Sequence, residues 1–432
     1  MDVYDEAELW SRDHIEQTKL IRLKSTIEQA RKCPFYRERL DAAGIGPDSI
    51  KHIDDIRKIP FTTKQDLRDQ YPMGLLTVPK SEIVRMHCSS GTTGSPVAIC
   101  HTANDLNWWS DLMARCMYMV GVRKDDVFQN MSGYGLFTGG LGIHYGAERL
   151  GCMTIPAGAG NTKRQIKLAK DFHTTVAHIL PSYALILGER LREMGDDPEQ
   201  FPIRIALVGA EPYTEEFRKR LENLFNMKVY NSYGLSEMNG PGVGFECLAQ
   251  NGLHIWEDAY YPEVVDPETG EPVPDGVIGE LVMTSLCRQG MPILRYRTRD
   301  LTRFLPGECS CGRKHRRMDR ILGRADDMFI VKGVNIYPMQ IEQVIMTFDE
   351  VGKNYLIQLE NDGFGDVMRV KVEIRDEYFV EDMRTLRKIQ QKIARSLKDE
   401  ILVTPQVELV ESNSIPLSEG KAVRVQDLRM KK

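Results

Sequence analysis

Ser89-Ser90-Gly91-Thr92-Thr93-Gly94-Ser95-Pro96 is the stretch from which the rest of this chain is read. A run of hydroxyl residues and glycines buries no side-chain core, yet Ile83 to Met86 before it and Val97 to Cys100 after it read as short strands. The segment is therefore a tight loop held at both ends by a sheet. Glycine lets the backbone approach a ligand closely, and the N–H and hydroxyl groups are donors suited to a polyphosphate. No Gly-Lys-Ser/Thr follows and the next element is a strand, so this is not a Walker loop. Standing alone, the same residues would also make an ordinary solvated turn.

Beyond this loop, Val127 to Asn130, Met153 to Ile155, Val176 to Leu180 and Ile203 to Val208 read as apolar strands separated by helix-length segments. That alternation implies parallel βαβ units, with ligands at the carboxyl ends of the strands, where Gly209, Ala210 and Glu211 stand. From about residue 243 hairpin patterns take over, as in Val264 to Gly270 and Gly279 to Met283, which predicts a β-rich subdomain. Gly323-Arg324-Ala325-Asp326-Asp327 interrupts the pattern. After it come a strand at 328–331, a helix near 338–346, strands at 354–359 and 367–374, and a helix carrying Met383, Leu386, Ile389, Ile393 and Leu397. The fold expected is α/β: a large N-terminal domain over 1–323, with parallel sheets and the β-rich subdomain, and a small α+β domain over 324–432. Ahead of the phosphate-type loop, residues 5–32 read as an amphipathic helix stopped by Cys33-Pro34, and Thr62 or Thr63 as the cap of a further helix.

The 432 residues, 42% hydrophobic and 28% charged, are those of an ordinary globular protein of two or three domains. A net charge of -5, with basic residues scattered apart from Arg313 to Arg317, argues against nucleic acid and for small-molecule substrates. The first residues are acidic without a hydrophobic signal region, and no apolar run is long enough to span a bilayer, so a cytoplasmic protein off the membrane is expected. Nine cysteines without an export signal do not form a disulfide framework.

Taken together, Ser90 to Pro96, Tyr233-Gly234-Leu235-Ser236-Glu237, Tyr296-Arg297-Thr298-Arg299-Asp300, Gly323 to Asp327 and Gly420-Lys421 resemble the adenylate-forming (acyl-CoA synthetase) superfamily. Within it, Gly133 to Gly142, His144 to Glu148 and Phe61 to Lys64 resemble the phenylacetate-coenzyme A ligases, and the resemblance covers essentially the whole chain. It implies that an aryl acetic acid is activated by ATP as acyl-AMP, with pyrophosphate released, and passed to coenzyme A in phenylacetate catabolism. Ser89, Ser90, Gly91, Thr92, Thr93 and Gly94 would hold phosphate. Tyr233 would cover the adenine, flanked by Asn231, Ser232 and Gly234, with Gly209, Ala210 and Glu211 at its edge. Asp300 would take the ribose hydroxyls, Arg324 a phosphate or ribose oxygen, and Glu237 Mg2+. Lys421 would be the catalytic lysine of adenylation, carried on a mobile C-terminal domain hinged at Asp326. Plainer roles exist for several of these: Glu237 as a helix-start glutamate, Arg324 as an arginine paired with Asp326 or Asp327, Asp326 as a turn residue.

Two other readings stay open at this stage, an adenylyltransferase of the coenzyme F390 synthetase type and a non-catalytic nucleotide-binding scaffold. A scaffold would have lost Glu237 or Lys421, and both are present. A homodimer is compatible with the sequence but not required by it.

Two further sites follow from residue type. Tyr134 and Phe137 supply aromatic walls, and Gly139 and Gly140 clear space, for an apolar aryl pocket in which Lys64 would help hold the carboxylate. The family pattern is Tyr-Gly-Tyr-Gly-Leu-Phe, and its first tyrosine is here Ser132, which leaves room for an acid larger than phenylacetate, such as indoleacetate or a ring-substituted analogue. Cys309-Ser310-Cys311 is half of a tetrahedral Zn2+ site, and Cys247 and His254 are the nearest candidates for the rest. His315, four residues beyond Cys311 in a basic run, competes as the fourth ligand. With four protein ligands such a zinc would be structural.

Overall fold

In the computed structural model the described residues are 2–89, 96–211, 213–332, 334–361, 366–379, 383–416 and 424–429. Capping chemistry written in the sequence marks where its first helices begin. Ser11 accepts the His14 N–H at 3.2 Å and opens α1 (Arg12–Ala30). The helix expected over 5–32 is therefore shorter, because Asp5 caps a separate 3-10 turn at Glu6–Leu9 and Trp10 breaks the run. Pro34 both ends that helix and starts α2 (Pro34–Ala42), where its missing N–H has no partner to lose. α3 (Lys64–Asp69) begins on a reciprocal Thr63–Asp66 capping box, so Thr63 is the cap. Thr62 is buried instead and donates to the Leu294 carbonyl at 2.6 Å.

The following elements are β1 (Ile83–Cys88), β2 (Ala98–Thr102), α4 (Ala103–Met119), β3 (Val127–Asn130), α5 (Thr138–Leu150), β4 (Met153–Ile155), α6 (Thr162–Asp171), β5 (Val176–His178), α7 (Pro181–Glu193), β6 (Ile205–Gly209), α8 (Glu215–Phe225) and β7 (Lys228–Leu235). Then come β8 (Gly240–Glu246), β9 (Leu253–Ile255), β10 (Tyr260–Val265), β11 (Gly279–Ser285), β12 (Tyr296–Thr302) and β13 (Arg317–Met318).

The chain divides into two compact units. The first holds residues 1–180, 190–210 and 226–321. β1 and β2 pair antiparallel, as expected for the arms of the Ser/Gly loop. The large sheet runs β13-β9-β8-β7-β6-β5-β3-β4, with β4, β3, β5, β6 and β7 parallel and β8, β9 and β13 antiparallel. Its central strands are buried on both faces, as Val176, Ala177, Ala206, Leu207 and Val208 require, so polar groups gather at the strand ends. β5 stops at His178, two residues earlier than its apolar run, because Leu180 and Pro181 turn the chain into α7. A second, antiparallel sheet contains β10, β11 and β12.

The second unit holds 181–189, 211–225 and 322–432. In its last stretch lie β14 (Gly323–Arg324), β15 (Phe329–Val331), β16 (Val334–Ile336), α9 (Pro338–Ile345), β17 (Val351–Asn361), β18 (Asp366–Ile374), α10 (Met383–Ile401), β19 (Gln406–Val410) and β20 (Val425–Asp427). The sheet order is β19-β18-β17-β20. Ile389, Ile393, Leu397 and Ile401, spaced four apart on α10, are buried in one cluster with Val331, Ile341, Ile357 and Val370. Met383 remains exposed at the start of the helix. No helix among the described residues is long and apolar enough to cross a membrane.

A buried ionic network ties the N-terminal segment to the rest of the first unit. Glu257, fully buried, accepts from Lys19 Nζ at 3.1 Å, from the Arg316 N–H at 2.7 Å and from Arg12. Arg115 bridges Asp258 at 2.9 Å and Asp5 at 2.7 Å, and Arg313 Nε donates to Glu8 at 2.7 Å. Burial alone would raise the Glu257 carboxyl, but Lys19 and Arg12 outweigh it and hold the group at about 2. A carboxyl depressed in the fold contributes stability that is complete above its ordinary value near 4.5 and is lost as pH falls toward 2. Glu257→Gln leaves buried Lys19 with only the more exposed Glu16, 2.9 Å away, as counter-charge and is expected to cost at most roughly 3 kcal/mol at neutral pH. Unfolding followed between pH 7 and pH 3 should show that deficit shrink on acidification, and a pH-independent deficit would contradict this account.

Candidate active site

β7 and β8 cross so closely beyond Tyr233 that a Cβ on Gly234 would stand 1.9 Å from the Gly240 carbonyl oxygen, which only glycine permits. The turn between these strands carries Glu237, which is buried. Its Oε1 accepts from the Tyr296 hydroxyl at 3.1 Å and its main-chain carbonyl accepts from Arg288 NH1 at 2.6 Å. The next carbonyl, of Met238, accepts from the Tyr260 hydroxyl at 3.0 Å. Two consecutive peptide units are thus pinned from below, and the carboxylate has a fixed bearing. The helix-start reading of Glu237 as an exposed side chain does not hold.

Sequence reading assigned no role to Arg288, although it is a lone cation beside an apolar run. Arg288 is 3% exposed, and its Nε and second terminal nitrogen have no hydrogen-bond partner among the described residues. Burial pushes this guanidinium down, against the pull of Asp105. The Asp105 carboxylate itself accepts the N–H groups of Gln289 and Gly290, at 2.6 and 3.0 Å, so it holds the backbone on which Arg288 sits.

Asp300 on β12 accepts from the Tyr233 hydroxyl at 2.6 Å, which brings the expected adenine and ribose residues into direct contact. The Asn231 N–H donates to the Glu246 carboxylate at 2.8 Å, and Ser232 Oγ is buried without a partner among the described residues. Gly209 ends β6, and Ala210 after it adopts φ +66°, a left-handed conformation that costs a residue with a Cβ and is concentrated at functional turns. In the second unit, Glu211 accepts from the Ser182 N–H at 3.1 Å and Ser182 Oγ at 2.9 Å, placing its charge at the N-terminus of α7. There too, Arg324 pairs with both Asp326 oxygens, at 2.9 and 3.0 Å. The Ser89 N–H donates to the Val97 carbonyl at 3.0 Å. Ser90, Gly91, Thr92, Thr93, Gly94 and Lys421 lie outside the described residues.

Of the acid-pocket residues, Tyr134 is half-buried and its hydroxyl lies 3.1 Å from His144 Nδ1. Burial pushes its phenol up. Phe137 is exposed just ahead of α5. The two glycines differ: a Cβ on Gly139 would meet nothing within 4 Å, whereas one on Gly140 would lie 2.4 Å from the Gly133 carbonyl oxygen. Gly139 therefore leaves open space, and Gly140 is required by chain packing rather than by a ligand. Ser132 is buried, with Oγ 2.8 Å from Asn130 Oδ1 and 3.0 Å from His178 Nδ1. Lys64 is half-buried at the start of α3, with no polar partner among the described residues.

A separate cluster joins Cys247, His254, Cys309 and Cys311, whose ligand atoms all lie within 4.8 Å of one another. Cys247 Sγ is 3.6 Å from Cys309 Sγ, and Cys311 Sγ is 3.3 Å from His254 Nε2. A tetrahedron with Zn–S of about 2.3 Å and Zn–N of about 2.0 Å has edges of about 3.4–3.8 Å, so the spacing fits. His254 Nδ1 donates to the His315 carbonyl at 3.2 Å, which leaves Nε2 with the lone pair a metal needs. A hydrogen bond from Cys247 holds the Cys311 thiol well below its usual range against burial, favouring the thiolate form that ligates. His315 is not the competing ligand and does not face solvent. It is buried, its Nε2 donating to the Ala7 carbonyl at 2.8 Å and its Nδ1 accepting the Glu257 N–H at 3.1 Å.

Residues 43–287 match the family model of AMP-binding enzymes, and residues 333–429 that of the AMP-binding enzyme C-terminal domain. The chain is 44% identical to the phenylacetate-coenzyme A ligase of Thermus thermophilus, over 96% of each chain. It is 43% identical to the phenylacetate-coenzyme A ligase of Pseudomonas putida, over 99% of this chain and 97% of that one. Among solved structures it is similar to 2-hydroxyisobutyryl-CoA ligase in the postadenylation state in complex with 2-HIB-AMP. That match has a TM-score of 0.92 at 29% identity, covering 98% of this chain and 92% of that chain.

Arg288→Met removes a buried, poorly paired charge together with the donor to the Glu237 carbonyl. Losing a charged donor of this kind is worth about 1.5 kcal/mol, so affinity for a Mg2+-nucleotide should weaken roughly tenfold in isothermal titration. The melting temperature should change by only a few degrees. Unchanged nucleotide affinity would show that the Glu237 main chain does not depend on Arg288.

Proposed function

This chain belongs to the phenylacetate-coenzyme A ligase family of AMP-binding enzymes, and on that premise we propose how its residues carry out the reaction. It is an ATP-dependent, AMP-forming acid–thiol ligase. A carboxylate is a poor acyl donor because oxide leaves badly, so its oxygen first attacks the α-phosphorus of ATP, expelling pyrophosphate and giving acyl-AMP. The thiolate of coenzyme A then adds to the acyl carbon and AMP departs as the thioester forms. The observation that carries this reading is identity above 40% along nearly the full length of curated phenylacetate-coenzyme A ligases, which favours it over an adenylyltransferase or a scaffold.

The Tyr233–Asp300 hydrogen bond supports a nucleoside site in which the ring lies on the adenine and the carboxylate accepts from the ribose hydroxyls. Glu237 would hold Mg2+ against phosphate oxygens, where the ion offsets the repulsion between anionic groups. Its burial and its contacts with Tyr296 and Arg288 support that task, since both keep the carboxylate from swinging away. Lys421 is the residue we assign to the charge that builds at the α-phosphate, and Asp326 to the boundary about which the C-terminal segment would turn between the two half-reactions. Tyr134, Phe137, Ser132 and Gly139 are assigned to an arylacetate, with Lys64 near its carboxylate. A cytoplasmic site of action agrees with nine cysteines that form no disulfide.

ATP–pyrophosphate exchange over a panel of aryl and alkyl acids tests the reading. Arylacetates should support exchange without coenzyme A and yield thioester with it, and Lys421→Ala should lose most of the exchange while still converting supplied acyl-AMP. Comparable turnover of short alkyl acids, or none of any arylacetate, would overturn it.

The four-residue cysteine and histidine cluster is assigned to one structural Zn2+, because four protein ligands leave no position for substrate. Elemental analysis should find about one zinc per chain, and the double substitution Cys309→Ser, Cys311→Ser should lose it and lower the melting temperature. Wild-type protein that is metal-free and equally stable would end the assignment.

A further inference from the structure

His178 is named by no motif in the chain, yet its ring touches Ser132, one of the residues assigned above to the acid. It ends β5 directly beside Asn130, the last residue of β3, and the two are paired in the parallel ladder. Its ring is hydrogen-bonded on one side only. Nδ1 is 3.1 Å from Asn130 Oδ1 and 3.0 Å from Ser132 Oγ.

The protonation of that ring follows from the amide. Asn130 Nδ2 donates to the Gly140 carbonyl at 2.9 Å, which fixes the amide with Oδ1 toward Ser132 and His178. An amide oxygen only accepts, so the proton it meets belongs to Nδ1. Ser132 donates its N–H at 3.1 Å and its hydroxyl at 2.8 Å to the same oxygen, which leaves the serine oxygen as a second acceptor for Nδ1–H. Burial pushes His178 down to about 4, so the ring is neutral near pH 7. The neutral Nδ1–H tautomer carries its lone pair on Nε2, and Nε2 meets no donor among the described residues.

The residues next along the chain from Ser132 are those assigned to the acid. Tyr134, two residues beyond Ser132, has its hydroxyl 3.1 Å from His144 Nδ1. The Tyr134 ring stands over Gly158, and nearby Gly139 leaves its side-chain space empty. Ser132 stands where the family pattern carries a tyrosine, and here it is a hydroxymethyl group that meets the His178 ring, at Nδ1. A ring acceptor without a protein donor is satisfied most directly by a donor on a ligand, and sites built this way discriminate against analogues lacking the donor.

We propose that His178, held by Asn130 and Ser132, is a specificity-determining residue whose Nε2 accepts a hydrogen bond from an N–H or O–H on the ring of the arylacetate. The preferred substrates are then aryl acetic acids with a ring donor, of the indole or phenol kind. This rests on the arylacetate ligase reading above.

Steady-state thioester formation with matched acids tests it. Indole-3-acetate is compared with benzothiophene-3-acetate, which keeps the bicyclic shape and lacks the N–H, and 4-hydroxyphenylacetate with 4-methylphenylacetate, which lacks the O–H. In the wild type, kcat/KM for at least one donor acid should exceed that of its partner tenfold or more, and the pair that shows it identifies the donor. In His178→Leu the same ratio should fall to within about twofold of one, while His178→Gln, which keeps an acceptor, should retain part of it. Wild-type ratios near one for both pairs, with all four acids turned over, would overturn the inference and leave the ligase reading standing. Turnover of none of the arylacetates would overturn both. The wild-type comparison stands even if a His178 variant fails to fold.

Discussion

One directional constraint organises the first unit: five neighbouring strands, β4, β3, β5, β6 and β7, run parallel, so all of their carboxyl ends open on one edge. Their middles are closed to chemistry. Ala206, Leu207 and Val208 are buried on both faces of the sheet, where an unpaired polar group would cost several kcal/mol. Polar side chains inside the ladder must be fully paired, as Gln129 is with Gln165 and Thr174, and those that can meet a ligand gather where the ladder ends, as Asn130, His178 and Tyr233 do. The left-handed turn at Ala210 and the glycine crossing at Gly234 are consequences of leaving a sheet edge tightly enough to keep the next residues near it.

Two antiparallel additions convert this edge into a fixed site. β8 turns back on β7 and carries Glu237 at the bend, while β12, from the other sheet of the unit, supplies Tyr296 and Asp300. Each carboxylate meets a tyrosine hydroxyl from the opposite sheet: Glu237 from Tyr296, Asp300 from Tyr233. The reciprocal pairing locks the distance between a candidate metal ligand and a candidate ribose acceptor through short, rigid side chains. Charge that would be expensive inside the protein is offset in the same way farther out, where Glu257, Asp258 and Glu8 hold Lys19, Arg115 and Arg313.

The cysteine cluster and the ionic network share one loop. His315 passes its carbonyl to His254 and its ring nitrogens to Ala7 and Glu257, so it supports the metal-type site from behind while anchoring the N-terminal segment. A residue that looked like a ligand by spacing is instead the brace for one. This explains why the 3-10 turn at Glu6–Leu9 is separate from α1: its backbone is engaged by the loop after Cys311 rather than by a continuing helix.

Local rules carried much of this protein in its sequence. Hydroxyl caps at Ser11 and Thr63, the four-residue spacing on α10, the apolar strands between helix-length segments and the Ser/Gly loop between two strands each depend on residues a few positions apart. So do the motifs containing Tyr233, Glu237 and Asp300, and the Cys247–His254 and Cys309–Cys311 pairs whose spacing suits one metal. Only the tertiary structure decided that Gly140 serves packing, that Arg288 and Tyr296 hold Glu237, that His315 braces rather than ligates, and that Asn130 and Ser132 hold His178 by its Nδ1. Each of these turns on partners tens to hundreds of residues away, or, for Gly140, on the path of a loop. Spacing along the chain carries periodicity and capping, but which buried polar atom meets which is set by how strands are ordered in a sheet, and that order is a property of the folded whole.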